Sequence, residues 1–136
     1  MTRGHRTVDH TADVAFEAWA PTEVALLEEA ARAVVELMTE SATIEAGVER
    51  PVRIEAVDAE DRLVAWLNEV IYLATVEGQL VRDLDGVLSG SDLEGTIRVE
   101  ADARAKVASE LKSATYFDLR LDVGPEGASA HVVLDV

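Results

Sequence analysis

The stretch Ala12-Asp-Val-Ala-Phe-Glu-Ala-Trp-Ala-Pro-Thr-Glu-Val-Ala-Leu-Leu-Glu-Glu-Ala-Ala-Arg-Ala-Val-Val-Glu-Leu-Met38 changes its hydrophobic period halfway along. From Ala12 to Trp19, the residues Ala12, Val14, Phe16 and Ala18 alternate with Asp13, Ala15, Glu17 and Trp19, the period of a half-buried strand. Pro21-Thr22 ends it. From Glu23 the apolar residues fall at Leu26, Leu27, Ala30, Val34, Leu37 and Met38, one stripe of a helix, with Glu28, Glu29, Arg32 and Glu36 on its other faces. Thr22 is the expected N-cap, and Glu23 then sits in the first turn, where the helix dipole favours an acid.

The same switch recurs. Arg50 to Val57 alternates as a strand, and Asp58 with Asp61 three residues later reads as a capping pair for a second helix running to about Glu77. Its buried stripe is expected at Leu63, Leu67, Val70, Ile71 and Ala74, with Trp66 and Tyr72 packing on a sheet and Gly78 closing the helix in the left-handed conformation. Gln79 to Leu88, Leu93 to Ala103, Thr115 to Val123 and Ala128 to Val136 read as strands, and Gly124-Pro-Glu-Gly127 as a hairpin turn. Helices early and strands late predict an α+β fold, a mostly antiparallel sheet with two amphipathic helices on one face. At 136 residues, 49% hydrophobic, the chain is expected to form one domain over residues 1–136.

Composition narrows the chemistry. There is no cysteine, which removes thiolate metal sites, disulfides and cysteine nucleophiles, so any metal would be held by oxygen or imidazole. The formal charge of −15 and the presence of only two lysines, Lys106 and Lys112, argue against direct binding of nucleic acid. No stretch approaches the roughly 20 apolar residues of a membrane span, and the start runs into acids rather than a signal-peptide core, so a cytoplasmic protein is expected. Neither a Gly-x-Gly-x-x-Gly or Walker-type loop nor a Gly-x-Ser-x-Gly elbow occurs. Acids surround the three glycines between Gly86 and Gly95, which read as a turn region. Ser113, His10 and Asp13 include the residue types of a catalytic triad, but nothing in their spacing supports one.

Oxygen donors gather instead at the two chain ends. Asp13 follows His10 at the entrance to the alternating segment, and Asp135 is followed only by Val136 and its carboxylate. If those two segments pair in the sheet, the acids meet, and a hard divalent cation is the natural neutraliser of their repulsion. In the last segment His131, Val133 and Asp135 share one face and Val132, Leu134 and Val136 the other. An acid ending a run of valines either frays into solvent or is placed to bind, and composition leaves both readings open.

Asp9-His-Thr-Ala-Asp-Val14 resembles the Asp-His-Thr-Ala-Asp signature of the archease family. The similarity continues through Leu37-Met-Thr39, Leu67-Asn-Glu-Val-Ile-Tyr72, Lys112-Ser-Ala-Thr-Tyr116 and Val133-Leu-Asp-Val136, in order along nearly the whole chain. The resemblance implies an α+β archease fold with a strand-helix-strand-strand insertion. It also implies a protein cofactor, not itself an enzyme, of the GTP-dependent RtcB-type RNA ligase, promoting guanylylation and multiple turnover in tRNA splicing and RNA repair. It carries a metal site onto Asp13, Asp135 and Val136, the last through main-chain or terminal oxygen, for a divalent cation (Ca²⁺ or Mg²⁺). His10 and Thr11 are then expected to hold the turn, and Lys112 to contact the site or the ligase. tRNA would be met only through the ligase. Phe117 stands where archeases often have His, which removes any role for an imidazole there. Two rivals stay open: an interaction or chaperone module for another nucleic-acid-modifying enzyme, and a metal-dependent hydrolase using Asp13 and Asp135 to activate water.

Overall fold

The computed structural model of the chain describes residues 1–8 and 13–136. β1 (Gly4–Val8) and β2 (Val14–Ala20) lead into α1 (Glu23–Thr39), followed by β3 (Val48–Ile54), α2 (Ala59–Thr75), β4 (Leu80–Ser89) and β5 (Asp92–Glu100). A single 3₁₀ turn at Arg104–Lys106 precedes β6 (Ser113–Ala114), β7 (Arg120–Gly124) and β8 (Gly127–Asp135). Among the described residues β1, β2, β8 and β6 lie side by side in that order and β7 also pairs with β8, making a five-stranded sheet; β3, β5 and β4 form a second, three-stranded one. Every pairing is antiparallel. The β3-α2-β4-β5 segment is the expected strand-helix-strand-strand insertion, and it closes into its own sheet instead of extending the first.

Both helices start where the capping chemistry places them. The Thr22 hydroxyl accepts from the Ala25 amide (3.2 Å), and Asp58 accepts from the Asp61 amide (2.8 Å) while Asp61 reaches back to the Val57 amide (3.0 Å). The helices pack on each other, and α1 touches strands of both sheets. One buried cluster joins Phe16, Leu26, Leu27, Val34 and Met38 to Leu63, Leu67, Val70, Leu93, Ile97, Val132 and Leu134. Trp66 is fully buried between the helices, its indole N–H donating to the Leu27 carbonyl (2.7 Å). Arg62, also buried, pairs with Glu23 of α1 and donates to the Gly90 carbonyl (3.0 Å). None of the described helices is long and apolar enough to cross a membrane.

Several expectations need correction. The start of the first expected strand, at Ala12, lies outside the described residues, and β2 begins at Val14. A strand the alternation did not announce, β1, precedes it. Glu29, expected on an outer helix face, is buried against β1: Arg3 Nε donates to it (2.7 Å), as does His5 Nδ1 (2.9 Å). Tyr72 is 47% exposed and packs on no sheet, because it lies well outside the arc of α2 that holds Leu67, Val70 and Ala74. Of the three glycines in the expected turn, only Gly90 (φ +60°) turns the chain. Gly86 and Gly95 face each other inside β4 and β5, where a Cβ on Gly95 would stand 2.1 Å from the Asp85 carbonyl oxygen. The expected strand Thr115 to Val123 is broken: β6 ends at Ala114 and β7 begins at Arg120, with Asp118 between them at φ +51°.

Candidate functional site

β2 and β8 are the centre of the larger sheet, and their register determines what meets at its end. Phe16 pairs with Val132, Ala18 with Ala130 and Val14 with Leu134, and this set faces the helices. The opposite face carries Ala15 with Val133, Glu17 with His131 and Trp19 with Ser129. The ladder ends at Val14 and Leu134, and Asp13 and Asp135 are the next residues along the two segments beyond that pair. The anticipated meeting of the chain's two end segments is therefore present.

β6 completes this end from the other side. Ser113 pairs with Asp135 and Ala114 with Leu134, and the Lys112 amide donates to the Asp135 carbonyl (2.9 Å). Lys112 thus touches Asp135 through its backbone, its side chain being exposed. The Asp135 main-chain oxygen is occupied by that bond, which leaves Asp135 its carboxylate to offer. Asp135 and Val136 are exposed and Asp13 half-buried. Neither aspartate has an ion-pair partner among the described residues, and no three His, Cys, Asp or Glu of the described residues gather closely enough to hold a metal. The donor chemistry, two carboxylates without an ion-pair partner among the described residues and the Val136 main-chain oxygen next in sequence, fits a hard cation and no soft one. His10 and Thr11 lie outside the described residues.

Sequence reasoning missed the groups that tie this end to α2. The Asn68 side-chain oxygen accepts from the Ala114 amide (2.7 Å) and its NH₂ donates to the Ala114 carbonyl (3.5 Å), so one side chain closes the outer edge of β6. Two residues on, Tyr116 donates its hydroxyl to Asp61 in the first turn of α2. That bond raises the phenol to about 12 and holds the Asp61 carboxyl below its usual range, so the donor stays protonated and the acceptor ionised at neutral pH. His131, on the same sheet face as Asp135, points its Nδ1–H at the Asp118 carbonyl (3.0 Å). The signal for these contacts was present in Leu67-Asn-Glu and Lys112-Ser-Ala-Thr-Tyr116, but only the fold shows that the two stretches touch.

Of the stretches that carried the resemblance, residues 13–14, 68, 112–116 and 133–136 come together at one end of the larger sheet and its junction with α2, while Leu37–Thr39 lies elsewhere, its Met38 carbonyl accepting from Ala108 and Ser109. Comparison with known proteins agrees over the whole fold. The model of the Archease protein family (MTH1598/TM1083) matches residues 5–136. The chain is 36% identical to a probable protein archease of Mycobacterium tuberculosis, over 98% of this chain and 75% of the relative. To a protein archease of Archaeoglobus fulgidus it is 32% identical, over 97% and 98% of the two chains. Its structure resembles the solution structure of Methanobacterium thermoautotrophicum protein 1598, with a TM-score of 0.77, 26% identity, and 98% and 99% of the chains covered. It shares its fold with the crystal structure of an archease and possible chaperone from Thermotoga maritima, with a TM-score of 0.67, 24% identity and 96% of each chain covered. With the family model spanning both sheets, both helices and the acidic sheet end, the chain belongs to the archease family.

Proposed function

We propose that this chain is a protein cofactor of a GTP-dependent, RtcB-type RNA ligase, raising the rate at which the ligase is guanylylated and keeping it turning over in tRNA splicing and RNA repair. The observation that carries this reading is the end of the β2–β8 pair flanked by Asp13 and Asp135, two acids without an ion-pair partner among the described residues, on a chain of the archease family. Asp13, Asp135 and a main-chain oxygen of Val136 would hold Ca²⁺ or Mg²⁺, and the bound cation would supply positive charge between carboxylates that otherwise repel. The chain's own residues present acids to a basic, phosphate-binding partner, while the net charge of −15 keeps RNA itself at a distance.

The test is RNA joining by the cognate ligase with substoichiometric protein, following guanylylation and turnover number, wild type beside Asp135→Ala. Wild type is expected to stimulate both, and the variant to fall to the rate of ligase alone. The Thermotoga maritima protein is described as a possible chaperone; a chaperone that acted by holding its client would protect the ligase only near equimolar ratio, so the low dose separates the two readings. An active ligase that wild type does not stimulate overturns the proposal.

A further inference from the structure

The exposed large apolar residues fall into small groups: Val48 begins β3, Val87 lies on β4, Tyr72 and Val76 are one turn apart at the end of α2, and Met1 lies beside Val123 of β7. Two others are tied together, and a third is next to one of them in sequence. Val57 (83% exposed) and Tyr116 (56%) are joined through one carboxylate, since Asp61 accepts from the Val57 amide with one oxygen and from the Tyr116 hydroxyl with the other; Phe117 (60%) follows directly. We propose that Val57, Tyr116 and Phe117 form the docking surface of this protein for the ligase, receiving a basic face of that enzyme with an apolar pocket for the rings. This inference rests on the proposed function and names the surface through which it acts.

Three observations favour this occupant. The rings are of the type that dominates interface energetics, and Tyr116 is fixed before binding by its bond to Asp61, so little side-chain freedom remains to be lost. The collar is acidic: Asp58, Glu60 and Asp61 open α2 beside the phenol. A second copy of a chain carrying −15 would bring the same collar against itself, whereas a basic face is attracted. Lastly, the patch is continuous with the acidic sheet end, because Ala114, two residues before Tyr116, is held by Asn68 and its neighbour Ser113 pairs with Asp135. A partner seated on the rings therefore has Asp13 and Asp135 within the same footprint.

The experiment is calorimetric titration of the purified cognate ligase with wild type, Tyr116→Ala/Phe117→Ala and Tyr116→Phe, at low and high salt, each variant first checked for wild-type circular dichroism and melting. The double variant is expected to weaken Kd by at least about tenfold, the scale of one lost hot spot. Tyr116→Phe keeps the ring and is expected within about threefold of wild type, and raising salt is expected to weaken wild type. If wild type binds and stimulates but the folded double variant binds equally well, the docking surface is wrong and the proposed function stands. If wild type neither binds nor stimulates, both fall. If wild type self-associates and the double variant is monomeric, the patch joins two copies and the proposal is overturned.

Discussion

Asn68→Ala tests how the candidate site is held to the rest of the molecule. The Ala114 amide is directed away from β8 and reaches its partner in the Asn68 side chain at 2.7 Å, and Ala114 itself is buried. Truncating Asn68 leaves a buried backbone donor unsatisfied, which costs about 1–3 kcal/mol. The second contact, at 3.5 Å, adds little. β6 is two residues long, and its β8 neighbours Val133 and Leu134 are bonded independently to β2, so the loss is expected to stay local. At about 2 kcal/mol, native-state hydrogen exchange around β6 would show protection of the Thr115 amide, which donates to Val133, falling roughly thirty-fold. Amides of Phe16 and Val132 at the centre of the sheet should keep theirs. Unchanged protection at Thr115 would refute the role given to Asn68, and a uniform fall across the sheet would refute the claim that β6 opens by itself.

Two further predictions follow from charge. His5 lies between Glu29 (2.9 Å from Nδ1) and Glu36 (2.6 Å from Nε2), joining β1 to α1. Burial opposes its charged form, but hydrogen bonds to Glu36 and Glu29 and their charges outweigh it and raise the imidazole above 6.5; burial likewise pushes Glu29 up, and His5 and Arg3 outweigh it to bring the carboxyl below 4.5. The His5 contribution is therefore complete below pH 6.5 and lost as pH rises through the raised value, while that of Glu29 is complete above pH 4.5 and lost as pH falls through the lowered one. Urea unfolding across pH should show His5→Gln abolishing the alkaline loss; a wild-type alkaline limb that persists in the variant would sink the assignment. Asp13→Asn removes one of the two acids flanking the end of the β2–β8 ladder, and is expected to raise stability without cation by up to about 1 kcal/mol while abolishing the rise in Tm expected of wild type with Ca²⁺. Equal Ca²⁺ shifts in both proteins would take Asp13 out of the cation site.

The helices were legible because their chemistry is local. Thr22 and Asp58 cap within three residues of themselves, and the apolar stripe of α2 is buried as its spacing requires. β1 was not legible, for a reason visible in its partners: its inward residue His5 meets Glu29 and Glu36 instead of the core, so the strand has no apolar alternation to read. Glu29 was misplaced by the same contact, since a carboxylate can be buried on a helix only when residues distant in sequence, here Arg3 and His5, satisfy it. The break between β6 and β7 falls at Asp118, whose left-handed backbone no glycine marks. Asp13 and Asp135 could be picked from the sequence as a pair only on the condition that their strands were neighbours, and the pairing of β2 with β8 meets that condition.

That pairing also explains how an acidic end persists on a stable sheet. A one-residue slip would move Asp13 relative to Asp135, but it would also turn either Phe16 and Ala18 or Val132 and Leu134, according to which strand moved, out of the core. Like charges opposed across a strand pair cost only about 0.2–1 kcal/mol, whereas each large apolar side chain buried in the core contributes about 1.5–3 kcal/mol. The register is therefore set by residues that take no part in the site, and both acids are carried to the same end of the strand pair as its consequence. Among the described residues neither acid has an ion-pair partner, so a group of opposite charge, whether a cation or the basic surface of a partner, is the favoured occupant of this end.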